Sequence, residues 1–151
     1  NFGSAGGRVT IFYVQNPVVG SGHTFTFDRS PSATFPSITV AAFSDSAASP
    51  FDSEQGNSNS GVSSLTYNSA LSPAQDNTLI ISVLGTQAAE GSVPTIDSGF
   101  TLLESKPYTG GLYLGCFLAY LIQGTATPVT PTWNWTNAIS AETIIAGFKG
   151  A

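Results

Sequence analysis

The chain has 151 residues, 41% of them hydrophobic and 11% aromatic, enough for one domain with a real core. Charged residues make up only 9% and the net charge is −5, where ordinary soluble domains carry roughly 25% charged residues. Its four cations, Arg8, Arg29, Lys106 and Lys149, are scattered along the chain; they build no basic patch, which argues against a nucleic acid or an anionic membrane surface as a partner.

Residues 1–7, NFGSAGG, read as a flexible entry segment. Arg8–Gln15 alternates Val9, Ile11 and Tyr13 on one face with Thr10, Phe12 and Val14 on the other, the pattern of a strand. The turn-rich NPVVGSG leads to a half-buried strand at His23–Asp28, with Phe25 and Phe27 on one face. Arg29–Pro36 reads as a loop and Ser37–Ser44 as a strand. Asp45–Gly61 is small, polar and rich in Gly, Ser and Asn, and predicts a long loop. Val62–Tyr67 predicts a short strand, Leu71–Asn77 a turn, Thr78–Leu84 a buried strand, Gly85–Ser98 a loop and Phe100–Ser105 a strand.

The longest apolar run, Leu112–Gln123 (LYLGCFLAYLIQ), is apolar on both faces and predicts a central strand covered on both sides. A buried helix is the rival, but the aromatics, Gly115 and the preceding TGG favour a strand. It is too short to cross a bilayer, which takes about 20 apolar residues. Gly124–Pro131 reads as an edge segment, because proline donates nothing to a ladder. Thr132–Trp135 and Ala141–Lys149 close the chain as two further strands. Nine or ten strands without a convincing helix predict one all-β domain over residues 1–151. Its expected form is a two-sheet antiparallel β-sandwich, jelly-roll-like, with a closed barrel as the alternative.

The residues that bear chemistry are few. Trp133 and Trp135 lie two apart and share a strand face, with Tyr108 and Tyr113 as candidate neighbours. They read either as a platform for stacking sugar rings or as large core anchors, and their position at a sheet border weighs toward the core. Asp45, Asp52 and Glu54 share one loop but lack the spacing of a calcium loop, and no cleft sets them up as a glycosidase pair. His23 is the only histidine; it stands at a predicted strand start, far from any nucleophile elbow, and reads as solvent-facing. Cys116 is the only cysteine, which excludes an internal disulfide and a thiolate zinc site, and its apolar run predicts a buried, inert thiol. Asn134-Trp135-Thr136 is a formal glycosylation triplet of the kind that arises by chance. No metal, no cofactor and no enzymatic activity are expected.

Five stretches taken together resemble a β-sandwich family of phage structural proteins, the tail-fibre and head-decoration components, and of bacterial surface proteins. They are YVQNPVVGSGHTFTFD, ITVAAFSDSAASPFD, LSPAQDNTLIISVLG, IDSGFTLLES and PTWNWTNAISAETIIAGFKG. These are packing and turn motifs, so the resemblance implies a fold and a setting and carries no catalytic residue. Longer members carry extra strands before the segment matching Arg8–Asn16. Either this version is shorter, or those strands lie in a removed piece or come from a neighbouring subunit; the lack of any Met points to a processed product or a fragment. The expectation is a non-enzymatic structural protein of a virion or cell surface, which works by self-association and by packing on a shell. Its expected partners are its own copies and other virion or surface proteins. A carbohydrate-binding or receptor-binding module, with glycans as partners, is the alternative.

Overall fold

The computed structural model describes residues 7–18, 20–26, 37–109 and 114–151. Among these residues six strands, all pairing antiparallel, form a single sheet: β1 (Ser46–Thr66), β2 (Thr78–Thr86), β3 (Thr95–Ile96), β4 (Thr101–Lys106), β5 (Gly115–Gln123) and β6 (Thr132–Gly150). The order across the sheet is β1-β6-β2-β5-β4, and β3 pairs with the start of β6.

The middle of the sheet is its most regular part. β2 pairs with β5 from Thr78↔Gln123 to Thr86↔Gly115, and with β6 from Thr78↔Lys149 to Thr86↔Ala141, without a register shift. The sequences explain this regularity. TLIISVLGT and GCFLAYLIQ are rich in β-branched and large apolar residues and present apolar side chains on both faces, so each strand gains from burial on two sides.

The β1–β6 ribbon does not stay flat. Asn57 and Thr66 are nine residues apart, about 30 Å along a straight strand, yet Asn57 Nδ2 donates to the Thr66 carbonyl at 2.8 Å. Trp133 lies twelve residues before Ile145, the residue of β6 that pairs with Ser82, yet Trp133 Nε1 donates to Ser82 Oγ at 2.8 Å. The ribbon therefore folds back over one face of the sheet. The fold falls where the register is broken, between Asn59 and Ser64 of β1, and Gly61 takes a φ of 68° there that suits glycine.

This fold-back encloses the larger core. Leu65, Trp133 and Trp135 from the folded end, with Tyr67, Leu71, Phe100 and Val129, pack against Ile80, Leu84, Phe117, Ala119 and Ile145. An isolated bridge, Leu71↔Val129, ties the two connections that close this side. A smaller core lies on the opposite face of the sheet, where Ile81, Val83, Leu118, Ile144, Ala146 and Phe148 meet Val9 and Ile11 of the N-terminal segment.

The expected strands at Thr78–Leu84, Phe100–Ser105 and Leu112–Gln123 appear as β2, β4 and β5, β4 being mostly exposed; Leu112 and Tyr113 lie outside the described residues. Other expectations need correction. Asp45–Gly61 is a strand for most of its length rather than a loop. Its Gly, Ser and Asn residues have low strand propensity, but pairing with β6 at eight positions from Ser46 to Asn59 overrides it, and the mismatch surfaces as register shifts along β1. Thr132–Trp135 and Ala141–Lys149 are one continuous strand. Arg8–Gln15 and Ser37–Ser44 are not strands, and neither is the described part of His23–Asp28, which ends at Thr26. Among the described residues they have no ladder partner beyond a single bridge position at Val9. Among the described residues the hydrogen bonding thus joins six strands in one sheet, where nine or ten in two sheets were expected.

Candidate functional site

The structure puts the two tryptophans in the core. Trp133 is 0% exposed, and Trp135, also buried, donates its Nε1 to the Val62 carbonyl at 3.1 Å. Around Trp133 the polar atoms close into a buried network. Ser82 Oγ accepts from Trp133 Nε1, the Tyr67 hydroxyl reaches Ser82 Oγ at 2.6 Å and Thr143 Oγ1 at 2.7 Å, and Thr143 Oγ1 donates to the Val83 carbonyl. Every hydroxyl in it has a partner, so the network fixes one arrangement of the folded-over ribbon. Burial pushes the Tyr67 hydroxyl above its ordinary value, against the opposing effect of its hydrogen bonds. With no ring face open to solvent, Trp133 and Trp135 serve this fold as anchors, and a sugar has no access to them.

Tyr108 is half-buried, and its backbone N–H donates to both carboxylate oxygens of Glu90, at 3.1 and 3.2 Å. Glu90 is a buried acid that gathers the local chain. Its carboxylate also accepts from Thr86 Oγ1, and its backbone carbonyl accepts from the N–H groups of Thr136 and Asn137, just past Trp135. Gly115 makes room for this group, since a Cβ there would overlap Glu90 Oε1 and Thr86 Oγ1. A second buried acid, Glu142, accepts from Gln87 Nε2. Neither acid stood out in the sequence, where each is a lone Glu beside small residues. Tyr113 lies outside the described residues.

The remaining candidates disperse. Asp52 Oδ2 accepts from the Ala74 N–H at 2.8 Å and so holds the turn before β2, while Asp45 and Glu54 are exposed. No group of three or more His, Cys, Asp or Glu side chains is placed to hold a metal among the described residues. His23 is exposed. Cys116 is partly buried on β5, with Thr39 Oγ1 at 3.7 Å from its sulfur; burial raises its thiol above the ordinary range, so the nucleophilic thiolate is scarce at neutral pH.

Two surface features remain. One is a depression of about 340 Å³ lined by Ile11, Tyr13, Phe51, Glu54, Ala146 and Phe148. The Tyr13 and Phe51 rings are nearly parallel, 12° apart with centroids at 6.1 Å, and Phe148 stands nearly perpendicular to both. The other is the layer formed by residues 8–15 and 37–44. Val9 and Ile11 face the sheet, Val9 filling the space above Gly85, and Phe43 packs on Tyr120 with ring centroids 5.6 Å apart. The other side of this layer is also apolar and faces outward: Phe12 is 84% exposed and Val14 76%, with Ile38 and Val40 exposed beyond them. Among the described residues, no backbone hydrogen bond joins residues 10–44 to other backbone.

No helix among the described residues is long and apolar enough to cross a membrane. In comparisons with protein-family models, curated proteins and solved structures, nothing matches.

Proposed function

We propose that this chain is a non-enzymatic structural protein that self-associates within a virion or cell-surface assembly. The observation that carries this reading is the N-terminal layer. It lies over the smaller core; among the described residues its backbone forms no ladder beyond the single bridge position at Val9, and its outer side bears Phe12, Val14, Ile38 and Val40 in the open. Unpaired extended backbone is a template for another strand, and clustered exposed apolar side chains are uncommon on a lone soluble chain. The finer architecture follows: a two-layer, jelly-roll-like sandwich whose second layer, residues 8–15, 23–26 and 37–44, is completed by strands of a neighbouring subunit. The low charge and hydroxyl-rich composition suit close packing of copies. Light scattering at two protein concentrations tests this reading. A closed oligomer, or a mass that grows with concentration, is expected; a monomer at both concentrations would contradict it.

Glycan binding is the second reading, favoured by the half-exposed Tyr13–Phe51 pair beside Glu54 rather than by the buried tryptophans. An aromatic surface can stack on a sugar ring, with the carboxylate accepting from its hydroxyls. Titration of a glycan panel against wild type and Phe51→Ala checks it, and equal signals for the two proteins would remove it.

A further inference from the structure

The depression beside Tyr13 supports a reading that does not depend on self-association. β1 and β6 build most of it. Phe51 pairs with Phe148 and Glu54 with Ala146, so three steps along β1 match two along β6, and the register slips between them. In a regular strand Phe51 and Glu54, three apart, would point to opposite faces. The slip is a bulge that turns both to the same face, where both line the depression. The bulge has a cost: Ser53 Oγ, between them, is buried with no hydrogen-bond partner among the described residues. Ile11 and Tyr13, two apart on the N-terminal segment, complete the lining.

Its chemistry is that of an aromatic cage. Tyr13 and Phe51 are half-exposed and nearly parallel, and Phe148 stands across both, its ring centroid 5.4 Å from that of Tyr13 and 6.3 Å from that of Phe51. Phe148 and Ala146 are buried and form the floor. Ring faces carry negative potential, and the exposed Glu54 carboxylate adds a full charge. No Lys or Arg among the described residues lines the site or forms an ion pair with Glu54. The chain as a whole, at −5, favours a cation further. A sugar needs several directional partners, and the lining side chains offer only the Tyr13 hydroxyl and the Glu54 carboxylate. A quaternary ammonium needs none, because methyl groups surround its charge and pack on ring faces. The volume, about 340 Å³, is at the small end of ligand sites, which run from roughly 300 to 1,000 Å³. We propose that Tyr13, Phe51, Phe148 and Glu54 bind a small quaternary ammonium group of the choline type, the rings taking its methyl groups and the carboxylate its charge.

The test follows the methyl protons of choline by NMR as protein is added, with a melting curve on every variant. Wild type is expected to bind at about millimolar affinity or tighter. It should shift those protons upfield, the ring-current sign of a group lying over aromatic faces. The neutral isostere of choline, with carbon in place of the quaternary nitrogen, should bind at least about tenfold more weakly. Phe51→Leu keeps an apolar side chain without the ring, and Glu54→Gln keeps the shape without the charge. Each should weaken choline by about fivefold, and both positions are exposed, so both variants should melt as wild type does. Phosphocholine should bind more weakly than choline, since its phosphate meets Glu54, which separates the free group from a phosphate-borne one. Four results would each overturn the inference: no upfield shift with wild type, an isostere that binds as well as choline, normally melting variants that bind as tightly as wild type, or phosphocholine that binds more tightly than choline. The mass of the wild-type particle enters none of them, so failure here leaves self-association standing.

Discussion

RVTIFYVQ in the N-terminal layer and TLIISVLGT in β2 are written in similar residues, alternating and β-branched, yet only the second is a strand. β2 has β5 on one side and β6 on the other, each in unbroken register. The N-terminal segment lies across the sheet with its inner side chains seated and, among the described residues, with no ladder beyond the single bridge position at Val9. Strand character belongs to the pairing as much as to the segment, and DSEQGNSNSG in β1 makes the converse case: poor strand residues become a strand because β6 lies alongside.

This contrast breaks most sharply in the larger core. Trp133→Ala removes a fully enclosed ring and the Ser82 hydrogen bond, and should destabilise the protein by about 3–5 kcal/mol in urea titration. Gly85→Val places a branched side chain where Val9 packs; overpacking should cost about 1–3 kcal/mol and release the N-terminal layer, read as faster proteolysis before residue 45 while β2 stays protected. Tyr67→Phe should cost about 1 kcal/mol at neutral pH, since Ser82 and Thr143 keep other partners.

The same substitution has a pH signature. Burial holds the Tyr67 hydroxyl above its ordinary 10.0. Below that pH the folded and unfolded chains both keep the proton, and stability is level. Above it the unfolded chain loses the proton first, so stability falls as pH rises. Tyr67→Phe should flatten that part of the fall, measured as the urea midpoint between neutral and strongly alkaline pH. Cys116, raised in the same direction, contributes a similar fall beginning near its ordinary 9.0. Its alkylation at neutral pH should be much slower than that of a free thiol. The smallest effect is expected outside, where Phe12→Ser should shift the stability of a dilute, monomeric sample by no more than about 0.5 kcal/mol.

The sequence showed the centre of the fold well. The two-faced apolar runs of β2 and β5 are legible because burial on both sides leaves no polar face. The bend in the β1–β6 ribbon was not legible, because the residues at the fold, such as Gly61 and Ser63, also write an ordinary loop. The tryptophans were visible as a pair but not as enclosed, since the ribbon's fold-back is what buries them. Tyr13 and Phe51 lie far apart in sequence, and the depression they share depends on how residues 8–15 cross the sheet.

Hydrogen exchange of the backbone amides in residues 8–15 and 37–44, followed across a range of protein concentrations, tests most directly whether this layer waits for a partner. The amides should exchange freely in dilute protein and become protected as concentration rises, while those of β2 and β5 stay protected throughout. Protection that is already full in the dilute monomer, or exchange that stays fast at every concentration, would contradict the account.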